Sequence, residues 1–280
     1  MFPHFDFGTI SLPWGGEFEF QLPLYGLMFA LSAILAWIWF MARGRKLGIA
    51  EEHLFNLCFY ALLGGIVGAK LLLIILDWRA YFSGSPSDIF WNLFGTLRSA
   101  GVLIGGIILG SLVFIAYCRK HRLPLFVLAD AMAAPLVMAQ AIGRLGCFFA
   151  GCCHGVHVPA DHPLAVVFTH PAVQQYSGVP LNTPVAATQL MQFANDMLLA
   201  GVLTILWRRG LKPAGSVFWW YLILYGIGRS IVEIWRGDTE RGLFFGDLLS
   251  TSQILGLSGV AIGVFMLIRG RTLQAREATG

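Results

Sequence analysis

The sequence predicts an all-α polytopic membrane protein with seven transmembrane helices, its N-terminus outside and its C-terminus in the cytoplasm. Three observations carry this: the composition, seven apolar runs of spanning length, and basic residues concentrated in alternate loops. The 280 residues are 57% hydrophobic and only 12% charged, whereas soluble chains are near half apolar and about a quarter charged. With 22 Phe and 9 Trp, the chain is too apolar and aromatic for disorder. Five cysteines in this length are too sparse for a disulfide-built secreted domain. A net charge of +4, not gathered in one patch, argues against a nucleic-acid partner.

The expected spans lie near 22–42, 54–77, 99–117, 124–146, 188–207, 215–235 and 250–268. Each is about 20 residues, enough to cross a ~30 Å hydrocarbon core. The fourth is interrupted by Asp130, Pro135, Gln140 and Arg144 and reads as a cavity-lining helix. Between the second and third, Phe82 to Arg98 is amphipathic and is expected at the membrane interface. Residues 1–21 hold no Lys or Arg, so the start does not read as a cleaved secretory signal and the first helix is expected in the mature chain. Residues 1–280 read as a single transmembrane domain with an extracytoplasmic loop or cap at about 147–187.

Orientation comes from charge. Arg43, Arg45 and Lys46 follow the first span, Arg119, Lys120 and Arg122 the third, Arg208, Arg209 and Lys212 the fifth, and Arg269, Arg271 and Arg276 the seventh. The opposite side holds Arg79, Arg98, Arg236 and Arg241. The positive-inside bias therefore places the side of twelve in the cytoplasm. The long loop then faces outward. It lacks Lys and Arg but carries His154, His157, Asp161, His162 and His170, and loops this long usually carry function.

Ionisable residues inside spans usually face a cavity or a partner. Lys70, Asp130, Arg144, Arg229 and Glu233 stand out. Arg229 and Glu233 share a helix face and read equally as a structural ion pair. Arg144 has no acid one turn away, and a lone intramembrane Arg near the outer surface is suited to an anion. A phospholipid phosphate fits its planar fork. Lys70 reads equally as a functional cation or as one that snorkels to the interface. The glycines Gly64, Gly65, Gly68, Gly101, Gly105, Gly106 and Gly110 suit close helix packing; Gly105 and Gly106 are also candidates for backbone approach to a headgroup. The absence of repeated halves and of a chain of acids along the spans argues against a channel or ion pump.

The run Gly143-Arg144-Leu145-Gly146-Cys147-Phe148-Phe149-Ala150-Gly151-Cys152-Cys153-His154-Gly155 resembles the signature of the bacterial prolipoprotein diacylglyceryl transferases, G-R-x-G-N-F-x-N-x-E-x-x-G. Further stretches match in family order. These are Tyr25-Gly26-Leu27-Met28, Ala129-Asp130 with Pro135, Thr188-Gln189-Leu190, Tyr225-Gly226-Ile227-Gly228-Arg229 leading to Val232-Glu233 and Arg236, and Ser252-Gln253-Ile254-Leu255. The likeness covers roughly 22–268. It departs at Cys147 and Ala150, where the family has Asn, and at Cys152, where it has Glu. Ile104 replaces a usual His, and Met191-Gln192 a frequent Tyr-Glu.

The resemblance implies a seven-helix, N-out, C-in enzyme of the bacterial cytoplasmic membrane. It moves diacylglycerol from phosphatidylglycerol to the lipobox Cys thiol of a secreted lipoprotein precursor. Catalysis is expected from Arg144, Arg229 and Glu233, the arginines clamping the departing phosphate. Substrate binding is expected from Tyr25, Gly26, Gly105, Gly106, Arg144, Tyr225 and Arg236. No cofactor is expected, and His154 is the substitute candidate for the missing base. Cys147, Cys152, Cys153 and His154 form a thiol cluster. It lacks the second ligand pair of structural zinc sites, so no metal is assigned; a disulfide from Cys147 to Cys152 or Cys153 suits an oxidising exterior. A thiol used in covalent transfer is a third reading. The alternatives are a paralogous lipid-handling protein with another acceptor and a non-catalytic lipid binder, either with a redox or metal-binding Cys cluster.

The charge bias is tested by reporter fusions. Fusions at Gly210 and Gly280 are expected to report the cytoplasm and one at Gln174 the exterior; a cytoplasmic signal at Gln174 overturns the arrangement.

Overall fold

The computed structural model describes residues 4–12, 16–96, 101–237, 243–244 and 249–279; Arg98 and Arg241, used in the charge count, lie outside them. Elements run β1 (His4–Leu12), β2 (Gly16–Pro23), α1 (Leu24–Lys46), α2 (Glu51–Leu76), α3 (Trp78–Tyr81), α4 (Pro86–Gly95), α5 (Leu103–Lys120) and α6 (Leu125–Ala150). They continue with β3 (Ala165–Val167), α7 (Pro171–Ser177), β4 (Pro184–Ala186), α8 (Thr188–Arg208), α9 (Ser216–Glu233), β5 (Leu243–Phe244), β6 (Leu249–Ser250) and α10 (Thr251–Thr279). Among the described residues, six helices are long and apolar enough to cross a membrane: α1, α2, α5, α6, α8 and α10. The remaining expected span is helical as α9. It is not among the six, because Trp219, Trp220, Tyr221, Tyr225, Arg229 and Glu233 lower its apolar character.

The helical expectation omitted the N-terminal hairpin. β1 and β2 pair antiparallel, with Phe5 opposite Leu22 and Leu12 opposite Gly16. The register slips between Asp6 and Thr9, where Gly8 takes φ +83°, as a bulge requires. Its signal was the two-residue alternation of Glu17-Phe18-Glu19-Phe20, which a search for 20-residue apolar runs passes over.

Two compact units form, Met1–Phe40 with Ala129–Gly280, and Met41–Leu128. In the second, α2 packs on α5 through glycines. A Cβ at Gly68 would run into the Gly105 carbonyl oxygen, and one at Gly106 would lie 2.8 Å from the Gly65 carbonyl. The faces of Gly105 and Gly106 are thus occupied by α2, the packing outcome. Lys70 donates to the Thr96 carbonyl at the C-cap of α4, so its charge is tied to the short helix. That helix starts in a capping box, Ser85 with Asp88, with Pro86 in its first turn. The exposed Phe90, Trp91 and Phe94 give it the aromatic face expected at an interface.

In the first unit, Ala133, Ala134 and Val137 of α6 pack with Leu199, Ala200 and Leu203 of α8 and Val217 and Tyr221 of α9. Asp130 caps α9: its carboxylate accepts from the Gly215 N–H at 2.7 Å and the Phe218 N–H at 2.8 Å. These are amide donors that a helix start otherwise leaves unsatisfied. Gln140 hydrogen-bonds the Tyr221 hydroxyl at 3.0 Å. The polar residues interrupting α6 thus dock it onto α9. Helix α6 runs on to Ala150, so the loop expected from 147 begins after 150 and Cys147 is helical. The cap has its own core of Phe168, Val173, Val179 and Val185, with β3 and β4 antiparallel beside it.

Gly68→Ala is expected to destabilise the protein by about 1–3 kcal/mol through overpacking. Gly65→Ala, whose Cβ would meet only the Gly106 carbonyl at an ordinary 3.7 Å, is expected near neutral. Thermal unfolding in detergent compares the two, and equal midpoints would contradict the glycine contact.

Candidate active site

The last turns of α6, the middle of α8, the end of α9 and the starts of α1 and α10 bring their polar side chains together in the first unit. Arg144 is half-buried. It donates to the Tyr225 hydroxyl and has Cys147, Cys153 and Asp196 within electrostatic reach. Arg229 is 6% exposed. It pairs with Glu233 at 2.5 Å and donates to the Ser252 hydroxyl at 3.0 Å. Arg236 lies 3.8 Å from the same Glu233 oxygen, so one buried carboxylate serves two arginines. Arg144 and Arg229 are close enough to repel each other.

Asp196 stands between them electrostatically, facing both guanidinium groups. It is fully buried on α8. Its Oδ1 accepts from Gln192 Nε2 at 2.7 Å and Asn195 Nδ2 at 3.1 Å. Among the described residues its Oδ2 has no hydrogen-bond partner. The sequence reading missed it, although an acid inside the apolar run 188–207 was the available signal. The carboxylate facing Arg144 is Asp196. Asp130 is committed to α9, and Asp161 lies exposed on the cap.

After α6 the chain folds back through a tight turn. Gly151 has φ +73° and Cys153 φ +60°, the latter a conformation that side chains rarely adopt. A Cβ at Gly151 would strike Val173. The start of α8 holds the turn: Thr188 Oγ1 donates to the Cys153 carbonyl at 2.6 Å and Gln189 Nε2 to the Cys152 carbonyl at 2.8 Å. The sulfurs of Cys147, Cys152 and Cys153 lie within 4.8 Å of one another, as free thiols rather than the expected disulfide. Hydrogen bonds from the Cys147 and Cys152 thiols, then the charges of Arg236 and Arg144, hold the Cys153 thiol well below its ordinary value. Cys152, the donor, is pushed up.

Gly155 threads between two strands of backbone. Its N–H donates to the Ala186 carbonyl at 2.8 Å, and a Cβ there would meet Ala186 and the Trp235 carbonyl at 2.6–2.7 Å. The next N–H, of Val156, donates to Trp235 at 2.8 Å, which anchors the chain beside Arg236. Only glycine fits this crossing. Gly146 packs on Tyr25 and Met28 of α1, a Cβ there lying 3.2–3.3 Å from their side chains.

Other expectations sort plainly. Tyr25 is exposed and in electrostatic reach of Arg144 and the three cysteines, so it joins the site. Gly26 faces open space. His154 is buried, with Nδ1 on the Gly155 carbonyl at 3.0 Å, which places its ring at the crossing. His157 Nδ1 is 2.6 Å from the Pro184 carbonyl, and His162 and His170 accept backbone N–H groups; these three organise the cap.

The family model described as prolipoprotein diacylglyceryl transferase matches residues 16–269. A phosphatidylglycerol–prolipoprotein diacylglyceryl transferase of Clostridium tetani is 36% identical over 243 residues, 86% of this chain and 90% of the relative. One from Clostridium perfringens, numbered 2, is 33% identical over 267 residues, 95% of this chain and 97% of the relative. One from Shewanella oneidensis is 30% identical over 277 residues, 96% and 97% of the two chains.

Glu233→Ala leaves two arginines without their buried counter-charge and is expected to cost about 3–5 kcal/mol. Glu233→Gln, which keeps volume and an acceptor, is expected to cost less. Unfolding of the detergent-solubilised variants measures both, and an Ala variant as stable as the parent would contradict the shared ion pair.

Proposed function

The chain belongs to the prolipoprotein diacylglyceryl transferase family, and from that premise we propose that it transfers diacylglycerol from phosphatidylglycerol to the lipobox cysteine of secreted lipoprotein precursors. The observation that carries this reading is the charge balance of the site. Arg144, Arg229 and Arg236 face the two carboxylates of Asp196 and Glu233, so the carboxylates alone do not neutralise the guanidinium groups that would meet a phosphate. In the reaction, the acceptor S–H bond breaks, its proton passing to solvent, and the sulfur forms a bond to the glyceryl carbon. The bond from that carbon to the phosphate oxygen breaks, and glycerol phosphate leaves with the electron pair. Charge develops on the departing phosphate, where fixed donors in a dry site contribute most.

Arg144 and Arg229 provide the bidentate clamp. Glu233 and Ser252 orient Arg229, and Tyr225 orients Arg144. Tyr25, exposed beside them, is the headgroup donor. The chain sits in a bacterial cytoplasmic membrane with seven crossings, N-terminus out and C-terminus in; α9 is the crossing whose polar side chains build the site. The basic loops support this orientation. A second reading, a lipid enzyme of this fold with another acceptor, is favoured by the thiols standing where the family carries Asn and Glu.

Arg144→Lys and Arg229→Lys keep the charge and lose the fork. Each is expected to lower kcat/KM by about tenfold to a hundredfold, assayed with phosphatidylglycerol vesicles and a lipobox peptide. If either Lys variant turns over like the parent, the clamp assignment for that residue is wrong. Complementation of a transferase-depleted bacterium, with lipoprotein mass read by spectrometry, separates the readings: rescue supports lipoprotein precursors as acceptors, and failure by a well-inserted protein favours another acceptor.

A further inference from the structure

The three thiols beside the clamp are unused by the proposed transfer, yet the fold gathers them with care. Cys147 comes from the last turn of α6, and Cys152 and Cys153 from the turn that follows. All three are half-buried, and their sulfurs lie within 4.8 Å of one another. A zinc ion bonded to sulfur at about 2.3 Å holds its sulfurs about 3.8–4.0 Å apart, so a small movement places all three on one ion. The backbone is set beforehand. Cys153 is held in the left-handed region, and side chains of α8 grip the Cys152 and Cys153 carbonyls. Strain of this kind persists where the surrounding structure enforces it and gathers at ligand sites.

We propose that Cys147, Cys152 and Cys153 form a three-thiolate site for a thiophilic metal ion, with zinc as its reference occupant and one coordination position open. An all-sulfur donor set selects zinc or Cu(I) over Mg, Ca or Mn. Ligation forms three sulfur–metal bonds and sends to solvent every proton the sulfurs still carry, so no oxidant is consumed. Three thiolates and Zn(II) carry a net negative charge, which Arg144 and Arg236, both facing Cys153, offset. The sequence assigned no metal because the spacing lacks a second ligand pair. The turn at Gly151 makes that pair unnecessary by folding Cys152 and Cys153 back onto Cys147.

The test uses full-length protein in detergent, reduced, stripped with a chelator and titrated with Zn(II), the metal being counted by mass spectrometry. Co(II) in its place reports thiolate ligation through a strong sulfur-to-metal charge-transfer band. About one ion per chain and that band are expected. Cys→Ser at 147, 152 or 153 should weaken binding by at least about tenfold. Cys118→Ser, at a buried cysteine of α5, should not. If the Ser variants do not fold, protection of the parent's thiols from maleimide by bound Zn(II) decides the matter. A reduced parent that binds no more zinc than a triple-Ser variant, gives no band or gains no protection overturns the site. So does a native disulfide that, once reduced, leaves thiols without affinity for metal. None of these readouts requires turnover, so the site and the transferase reading fail independently.

Discussion

Two guanidinium groups held near each other in a medium of low dielectric repel, and the architecture around Arg144 and Arg229 is organised by that repulsion. Glu233 meets it from the same helix, one turn from Arg229, and is shared with Arg236. Asp196 meets it from α8, facing both arginines. Tyr225 and Ser252 take individual N–H donors without adding charge. Without such compensation the guanidinium groups would not survive burial. Each compensating group comes from a helix that must therefore be locked in place.

The locking is done by backbone as much as by side chains. Asp130 uses both carboxylate oxygens on amides at the start of α9, so the helix carrying Arg229 is pinned to the helix carrying Arg144. At the other end of α9, Gly155 and Val156 join backbone with Ala186 and Trp235, fixing the segment that bears Arg236. Gly146 lets α1 come close enough for Tyr25 to reach the site. The signature glycines Gly146 and Gly155 are therefore explained by approach distances, whereas a Cβ at Gly143 would meet open space.

The cysteine turn shows how one frame hosts different chemistry. Where the resemblance leads one to expect Asn and Glu, this chain has thiols. The turn remains held by Thr188 and Gln189 of α8. A replacement of polar donors by sulfur leaves the fold intact because carbonyls of the turn, rather than its side chains, make the contacts to α8. The side chains are free to converge on one another.

Sequence alone determined the membrane class and the apolar segments and singled out Arg144, Arg229 and Glu233 as candidates, because apolar length and isolated intramembrane charge are local properties of a chain. It also carried the family likeness, through the spacing of Gly143, Arg144, Gly146, Phe148 and Gly155. The N-terminal hairpin and Asp196 were legible but missed, one as a two-residue alternation and the other as an acid in an apolar run. Other features belonged to tertiary structure alone. Asp130 reads from sequence as an interruption of a cavity-lining helix and turns out to cap a helix 85 residues away. Gly105 and Gly106 read as a headgroup approach and turn out to pack on α2. Three cysteines with unpromising spacing meet because Gly151 and Cys153 adopt left-handed backbone. Spacing along a chain reports neighbours on one helix or strand; which groups meet across helices is decided by packing, where burial makes every unpaired charge and every extra methyl group costly.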